Sequence, residues 1–519
     1  MGPSDSRFSM LSRSSVMSRW LVVSGITLVL YVAAFSVPFF LGNHYASPQL
    51  TWTDMVGERL DIAIVYTMVI VGLFGLYYFG YRTLAAFPSL PPWAIYVPPV
   101  TFALALLSIY PPGGWDLFLY ISQGRLYSLN HLNPFLVTPQ DAPFDLFFSY
   151  ASWWPYPSTY GPAWQMMAGV VSLLGGENLW LSMLVFKVMV TVFFFASVVL
   201  VYLILSRQRP EVRHLGAFLL AWNPLLLYEI AGNGHNDIVM AFFTLLSLYF
   251  LFQRRLLWTL PLLAVSMLIK YSSAILFPGV LWHIWWTGKG IRQRLFWAGG
   301  GLVLAAAVVF LFARPFGSAY SIYALFGLEE LYRESPATLL YLALLGNFSS
   351  YDATNIVKAA VVLVLGTLYA FEGRRLMKTT EGDGWGSLLR FAFQVTFFFL
   401  LLIPRFHPWF VTSLLALGVL MVGMEPMNRA ILLTFTAFLS HIVEYFVMAV
   451  YGDRLNYFAL EIMATSLIFA PPLIYWQYYR VHSQRAVLAD LDHTIAVREA
   501  EIGRLKSGQS RRSTKKRAK

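Results

Sequence analysis

The sequence predicts an all-α, polytopic membrane helix bundle of about fourteen spans, and composition, hydropathy spacing and loop charge each point that way. Of the 519 residues, 58% are hydrophobic, 17% aromatic and 12% charged, with a mean hydropathy of +0.61. Soluble domains carry about a quarter charged residues. A hydrocarbon core about 30 Å thick needs about 20 apolar residues per helical crossing. Such runs recur from Leu21 to Tyr475 and leave no separate soluble domain before Gln484.

Residues 1–19 read as a cytoplasmic segment, because Arg7, Arg13 and Arg19 precede a first run too long for a signal peptide. Spans then fall near 20–41, 61–81, 93–110, 178–206, 213–231, 236–253, 256–270, 271–287, 294–313, 353–372, 386–403, 409–424, 429–448 and 456–477. The pair at 256–287 fits two crossings only if both are short, with a break at Lys270-Tyr271, and broken spans often border a site. Loops 111–177 and 314–352 interrupt the membrane domain, 20–477, and the second holds an amphipathic IYALFGLEELY stretch that suits the interface as well as a plain connector. In 478–519, Leu488, Leu491, Ile495, Ile502 and Leu505 predict a short amphipathic cytoplasmic helix before a basic tail.

Arg82, Arg207, Arg209, Arg213, Arg254, Arg255, Lys289, Arg292, Arg294, Arg374, Arg375 and Lys378 cluster in alternate joints. The positive-inside rule makes those joints and both termini cytoplasmic, and loops 111–177 and 314–352 external. The formal charge of +11 gathers in the tail from Arg504 to Lys519, which reads as a contact with membrane lipids and not with nucleic acid. The absence of cysteine excludes disulfides, thiolate metal sites and a cysteine nucleophile.

That topology sorts the ionisable residues. Asp116, His235, Asp237, Lys270, Arg314, Arg405, His407, His441 and Glu444 all map to external helix ends or loops, and charge near membrane depth marks function or pairing. Asp116, in GGWDLFLYISQGRL, suits a general base toward a hydroxyl, or a cap for a helix beginning at Leu117. In WNPLLLYEIAGNGHND, Asn236 or Asp237 can cap the next helix. Capping accounts for one polar residue of that turn, so His235, Asn236 and Asp237 also read as ligands of a sugar or phosphate. Lys270, Arg405 and His407 supply cations for a leaving phosphate, against snorkelling for the long side chains. His441 and Glu444, three apart on one helix face, could join Asp116 around a divalent cation. Too few carboxylates are evident for an obligatory metal. Lys187 and Lys358, inside spans, read as paired or snorkelling.

Asp116 in its GGWD context, NPF at 133–135, YGPAW from Tyr160 to Trp164, WNP, GNGHND and HPWF at 407–410 occur in order over most of the membrane region. Together they resemble the polyprenol-phosphate-mannose-dependent α-1,6-mannosyltransferases of actinobacterial cell envelopes, within the GT-C class of membrane glycosyltransferases. The resemblance implies a plasma-membrane enzyme that passes a hexose from a polyprenyl-phosphate carrier to an extracytoplasmic glycan or glycolipid, with inversion. It matches Asp116 to the base and His235, Asn236 and Asp237 to the family's turn, with Tyr160 on the same face. The long basic tail departs from the type. A transporter of lipid-linked sugars is the alternative, since many spans and a charged cavity serve flipping too; an assembly subunit comes last, because it leaves the polar cluster without a purpose.

Overall fold

The computed structural model describes residues 13–319, 332–379, 384–452 and 454–484, and the IYALFGLEELY stretch before Tyr332 and the tail beyond residue 484 lie outside them. The named helices are α1 (Ser15–Ser36), α2 (Leu60–Ala86), α3 (Pro92–Leu107), α4 (Trp115–Ser128), α5 (Pro162–Gly175), α6 (Leu179–Gln208), α7 (Pro210–Ala221), α8 (Pro224–Gly232) and α9 (Asp237–Phe252). There follow α10 (Leu256–Ile269), α11 (Phe277–Thr287), α12 (Ile291–Gly317), α13 (Pro336–Leu344), α14 (Ser350–Lys378), α15 (Trp385–Leu402), α16 (Pro408–Met421), α17 (Glu425–Tyr451) and α18 (Tyr457–Gln484). Among the described residues there is no β-strand, only two isolated bridges.

This is an integral membrane protein. Eight of these helices, α1, α2, α6, α12, α14, α15, α17 and α18, are long and apolar enough to cross a bilayer, and the pair α7 and α8, bent by 50°, makes a ninth if counted as one span. The expected count of about fourteen is not reached. The helices α3, α9, α10 and α16 are apolar but shorter, and α11, 11 residues long, reaches only ~16 Å. A hydropathy window cannot distinguish a crossing from a short helix enclosed by other helices. On α12 and α14 most of the surface is uncovered, with Val303, Val362 and Leu363 about 70% exposed, as lipid-facing helices require.

The short helices need their backbone satisfied by neighbours. In α3, Pro98 and Pro99 lack the N–H groups that would have reached the carbonyls of Ala94 and Ile95. Trp20 Nε1 donates to the first at 2.7 Å and Trp222 Nε1 to the second at 2.8 Å, so α1 and the bend between α7 and α8 each clasp α3. The end of α3 is held the same way. Lys187, fully buried on α6, donates from Nζ to the carbonyls of Leu106, Leu107 and Ile109 at 3.2, 2.8 and 2.7 Å. Lys187 is thus paired with backbone, not snorkelling. Lys187→Met is expected to lower stability in detergent by at least ~2 kcal/mol, since each orphaned carbonyl costs about 1–3 kcal/mol. An unchanged melting midpoint would show that the carbonyls find other partners.

Candidate active site

Four separated segments meet at the start of α4. Gly113 and Gly114 lie against Tyr445 and Asn233, and a Cβ on Gly114 would stand 2.6 Å from the Asn233 carbonyl oxygen, so only glycine admits this approach. The GGWD and GNGHND segments are thereby in contact. Gly161 likewise passes against the Leu268 carbonyl, and its N–H donates to Ile269 O at 3.1 Å, which sets Tyr160 beside the end of α10. There Lys270 takes an extended conformation (φ −147°, ψ 123°), and the chain continues as a short 3-10 turn, Tyr271–Leu276. The expected break is at that residue.

Asp116 lies in the first turn of α4, half-buried, and accepts a hydrogen bond from Tyr160 Oη at 3.0 Å. The helix begins at Trp115, with Gly114 as its N-cap and no side-chain cap. Asp116 is therefore not the cap of a helix starting at Leu117. Burial, then the Asp116 carboxylate, hold the Tyr160 phenol well above its usual range, so it remains a donor.

Asp237 opens α9, 2% exposed, and its oxygens lie 2.8 and 2.9 Å from Lys270 Nζ, which also stands over the Phe410 ring at 4.1 Å. Lys270 is thus held by an ion pair and does not snorkel. Neither Asn236 nor Asp237 caps α9: Asn236 is the N-cap residue, makes no capping bond, and both its side-chain polar atoms are buried without partners. Charge couples Asp116 to Asp237 and to Arg405, so the carboxylates share one electrostatic neighbourhood.

The PRFHPWF loop brings cations to the same place. It is pinned by Arg333, whose N–H donates to Pro404 O at 3.2 Å and whose carbonyl accepts from Phe406 N at 3.0 Å. Arg405 stacks on Trp153 of the loop between α4 and α5 at 4.5 Å and donates from Nε to His407 Nε2 at 2.8 Å. An accepting Nε2 requires a neutral imidazole protonated on Nδ1. His407 is half-buried, and its enclosure against Trp409, followed by the charge of Arg405, indeed holds it well below the usual histidine range. It orients Arg405 and supplies no positive charge of its own.

His235, 1% exposed, lies parallel to Trp409 with ring centres 3.7 Å apart. His441 and Glu444 are paired inward: His441 Nε2 is 2.7 Å from Glu229, and Glu444 is 2.7 Å from Arg333. Glu444 also lines a cavity with Arg333, Glu334 and Glu461. Among the described residues no group of three or more His, Asp or Glu is arranged to hold a metal ion. Arg314 is exposed at the end of α12, and no hydrogen bond or ion pair joins it to the others.

A cleft opens beside this cluster, lined by Asp237 and Lys270 and otherwise mainly by apolar side chains such as Met240, Leu245, Phe399, Leu400 and Ile403. The loop between α4 and α5 is fastened by Arg125, whose Nε donates to Asp145 at 3.0 and 3.1 Å, both side chains being buried. Asn130 and the Phe147 N–H complete the Asp145 partners at 2.9 and 3.0 Å. Sequence reasoning passed over Arg125, Asp145, Arg333 and Glu229. Only Glu229 carried a signal, a carboxylate inside an expected span.

Residues 19–286 match the family described as alpha-(1->6)-mannopyranosyltransferase, N-terminal domain. The chain belongs to this family. The matched part of the chain contains Asp116, Tyr160, His235, Asn236, Asp237 and Lys270, whereas Arg333, Arg405 and His407 lie beyond it. The chain is also 25% identical over 219 residues to alpha-(1->6)-mannopyranosyltransferase A of Mycobacterium tuberculosis (strain ATCC 25618 / H37Rv), a stretch covering 41% of this chain. That stretch spans only 40% of the relative's length. No solved structure matches.

Proposed function

We propose that this protein transfers a mannosyl residue from a polyprenyl-phosphate carrier to a hydroxyl of an extracytoplasmic glycan or glycolipid, with inversion at the anomeric carbon. The observation that carries this is the route from a half-buried carboxylate, Asp116, through its hydrogen bond from Tyr160 and the bond from Gly161 N–H to Ile269 O, to the adjacent Lys270 in the wall of an apolar cleft. An amphiphilic donor needs both. A prenyl chain suits the Leu, Ile and Phe lining, and its phosphate suits the ammonium group.

In this reading the acceptor oxygen attacks the anomeric carbon while the bond from that carbon to the phosphate oxygen breaks. Polyprenyl phosphate departs with the electron pair, and the acceptor proton passes to Asp116. A hydroxyl is a weak nucleophile near neutral pH, so a placed carboxylate helps. The leaving phosphate is already anionic and needs cations, here Lys270 and Arg405, in place of an acid, with His235 as a further ligand of the phosphate. The chain's own side chains thus cover both charges, and we propose no obligatory metal. Both termini are taken as cytoplasmic and the site as external, from the basic residues in alternate joints.

Reconstitution in liposomes tests this. Labelled mannose on polyprenyl phosphate is expected to end on an acceptor glycan. Carrier movement between leaflets with no sugar transfer would make the protein a transporter instead.

A further inference from the structure

Glu229 has no part in the reaction proposed above, yet no carboxylate among the described residues is less exposed. It lies in a π-helical turn, Tyr228–Gly232, and such turns recur at functional sites. Its Oε1 is 2.7 Å from His441 Nε2. Its Oε2 is 3.0 Å from His235 Nδ1 and accepts from Asn233 Nδ2 at 2.8 Å. Behind it the ion pairs continue: His441 Nδ1 stands 3.4 Å from Glu444, and Glu444 stands 2.7 Å from Arg333.

The arrangement puts a proton on Nδ1 of His235. Nδ1 faces the Glu229 carboxylate and, at 3.2 Å, the Glu229 backbone carbonyl, and both can only accept. Nδ1 must therefore be the N–H, and the backbone N–H of His235, donating to the same carbonyl at 3.0 Å, fixes the turn. Stacking on Trp409, with 12° between the planes, fixes the ring. What remains is Nε2, buried and without a partner, next to an Asn236 whose two side-chain polar atoms also lack partners. Buried polar atoms in such numbers call for a polar ligand.

We propose that Glu229 is a positioning residue of this site: its carboxylate holds the proton on His235 Nδ1 and the ring in register, so that Nε2 is presented to an oxygen of the donor phosphate. This rests on the donor reading above. To bind a phosphate oxygen, Nε2 must also carry a proton, and Glu229 is the counter-charge that an imidazolium inside the bundle requires. Related pairings of a carboxylate with the far nitrogen of a functional imidazole fix the ring's orientation in many sites.

The test uses the full chain in detergent or liposomes with labelled polyprenyl-phosphate mannose. Glu229→Gln keeps the side-chain volume and removes the charge. The inference predicts unchanged melting, a donor KM raised about tenfold or more, an unchanged acceptor KM, and no further rise when the substitution is added to His235→Ala. A wild-type donor KM, or effects of the two substitutions that simply add, would overturn it. If in that case Asp116→Asn is still inactive, the transfer reading survives alone. If wild-type protein transfers nothing, or Glu229→Gln does not fold, nitrogen-15 spectra of the histidine rings in wild-type protein decide, with His235→Gln assigning the signal. A protonated Nδ1, and an Nε2 signal that moves on adding polyprenyl phosphate, support the proposal. A bare Nδ1 or an unmoved Nε2 overturns it.

Discussion

Asp116→Asn is expected to lower mannosyl transfer by about 10²–10⁴-fold, the range a general base contributes, while leaving the protein folded. The amide oxygen can still accept from Tyr160 Oη, so the contact that joins α4 to the start of α5 is kept. What is lost is the proton acceptor. Donor and acceptor KM should move little, because the substitution acts after both substrates are in place. That separates this variant from one that damages binding. Turnover near wild type in a protein with the wild-type elution profile would remove Asp116 from the mechanism.

Lys270→Gln should reduce transfer by about 10²–10³-fold, as loss of one group stabilising a developing anion does elsewhere, and here donor KM should rise as well. The complication is that Lys270 is also the partner of Asp237, which is 2% exposed, and a buried ion pair broken on one side costs ~3–5 kcal/mol. Glutamine can still donate to one Asp237 oxygen, and adding Asp237→Asn leaves a neutral, hydrogen-bonded pair. That double variant is expected to recover stability without recovering transfer. Recovery of both would mean that the ion pair only holds α9 to the Lys270 break and that the phosphate is met elsewhere.

The sequence made the local pieces of this site legible, because each advertised a conflict with its surroundings. Asp116 followed an apolar run, polar residues crowded the GNGHND turn, and Lys270 interrupted a span. What periodicity could not supply was the pairing between segments. Arg333 fell in a loop that looked like a connector, and only its bonds to Pro404 and Phe406 tie it to the HPWF segment. Glu229 was passed over, and its two imidazole partners follow only from the π turn that directs it at them. The Asp116 cap failed for a similar reason, since the helix start moved to Trp115 and the carboxylate turned to Tyr160. The count of about fourteen spans is not confirmed among the described residues, because α9, α10 and α16 are apolar but shorter than a full crossing and much of each is buried among other helices.

The most direct test of the central claim offers purified full-length protein, in liposomes, two mannose donors in turn: polyprenyl-phosphate mannose and a water-soluble nucleotide mannose. The account predicts transfer from the lipid carrier alone, abolished in Asp116→Asn and producing the anomer opposite to that of the donor. Transfer from the nucleotide sugar with none from the lipid carrier would contradict it, because the cleft beside Lys270 would then have no prenyl chain to hold.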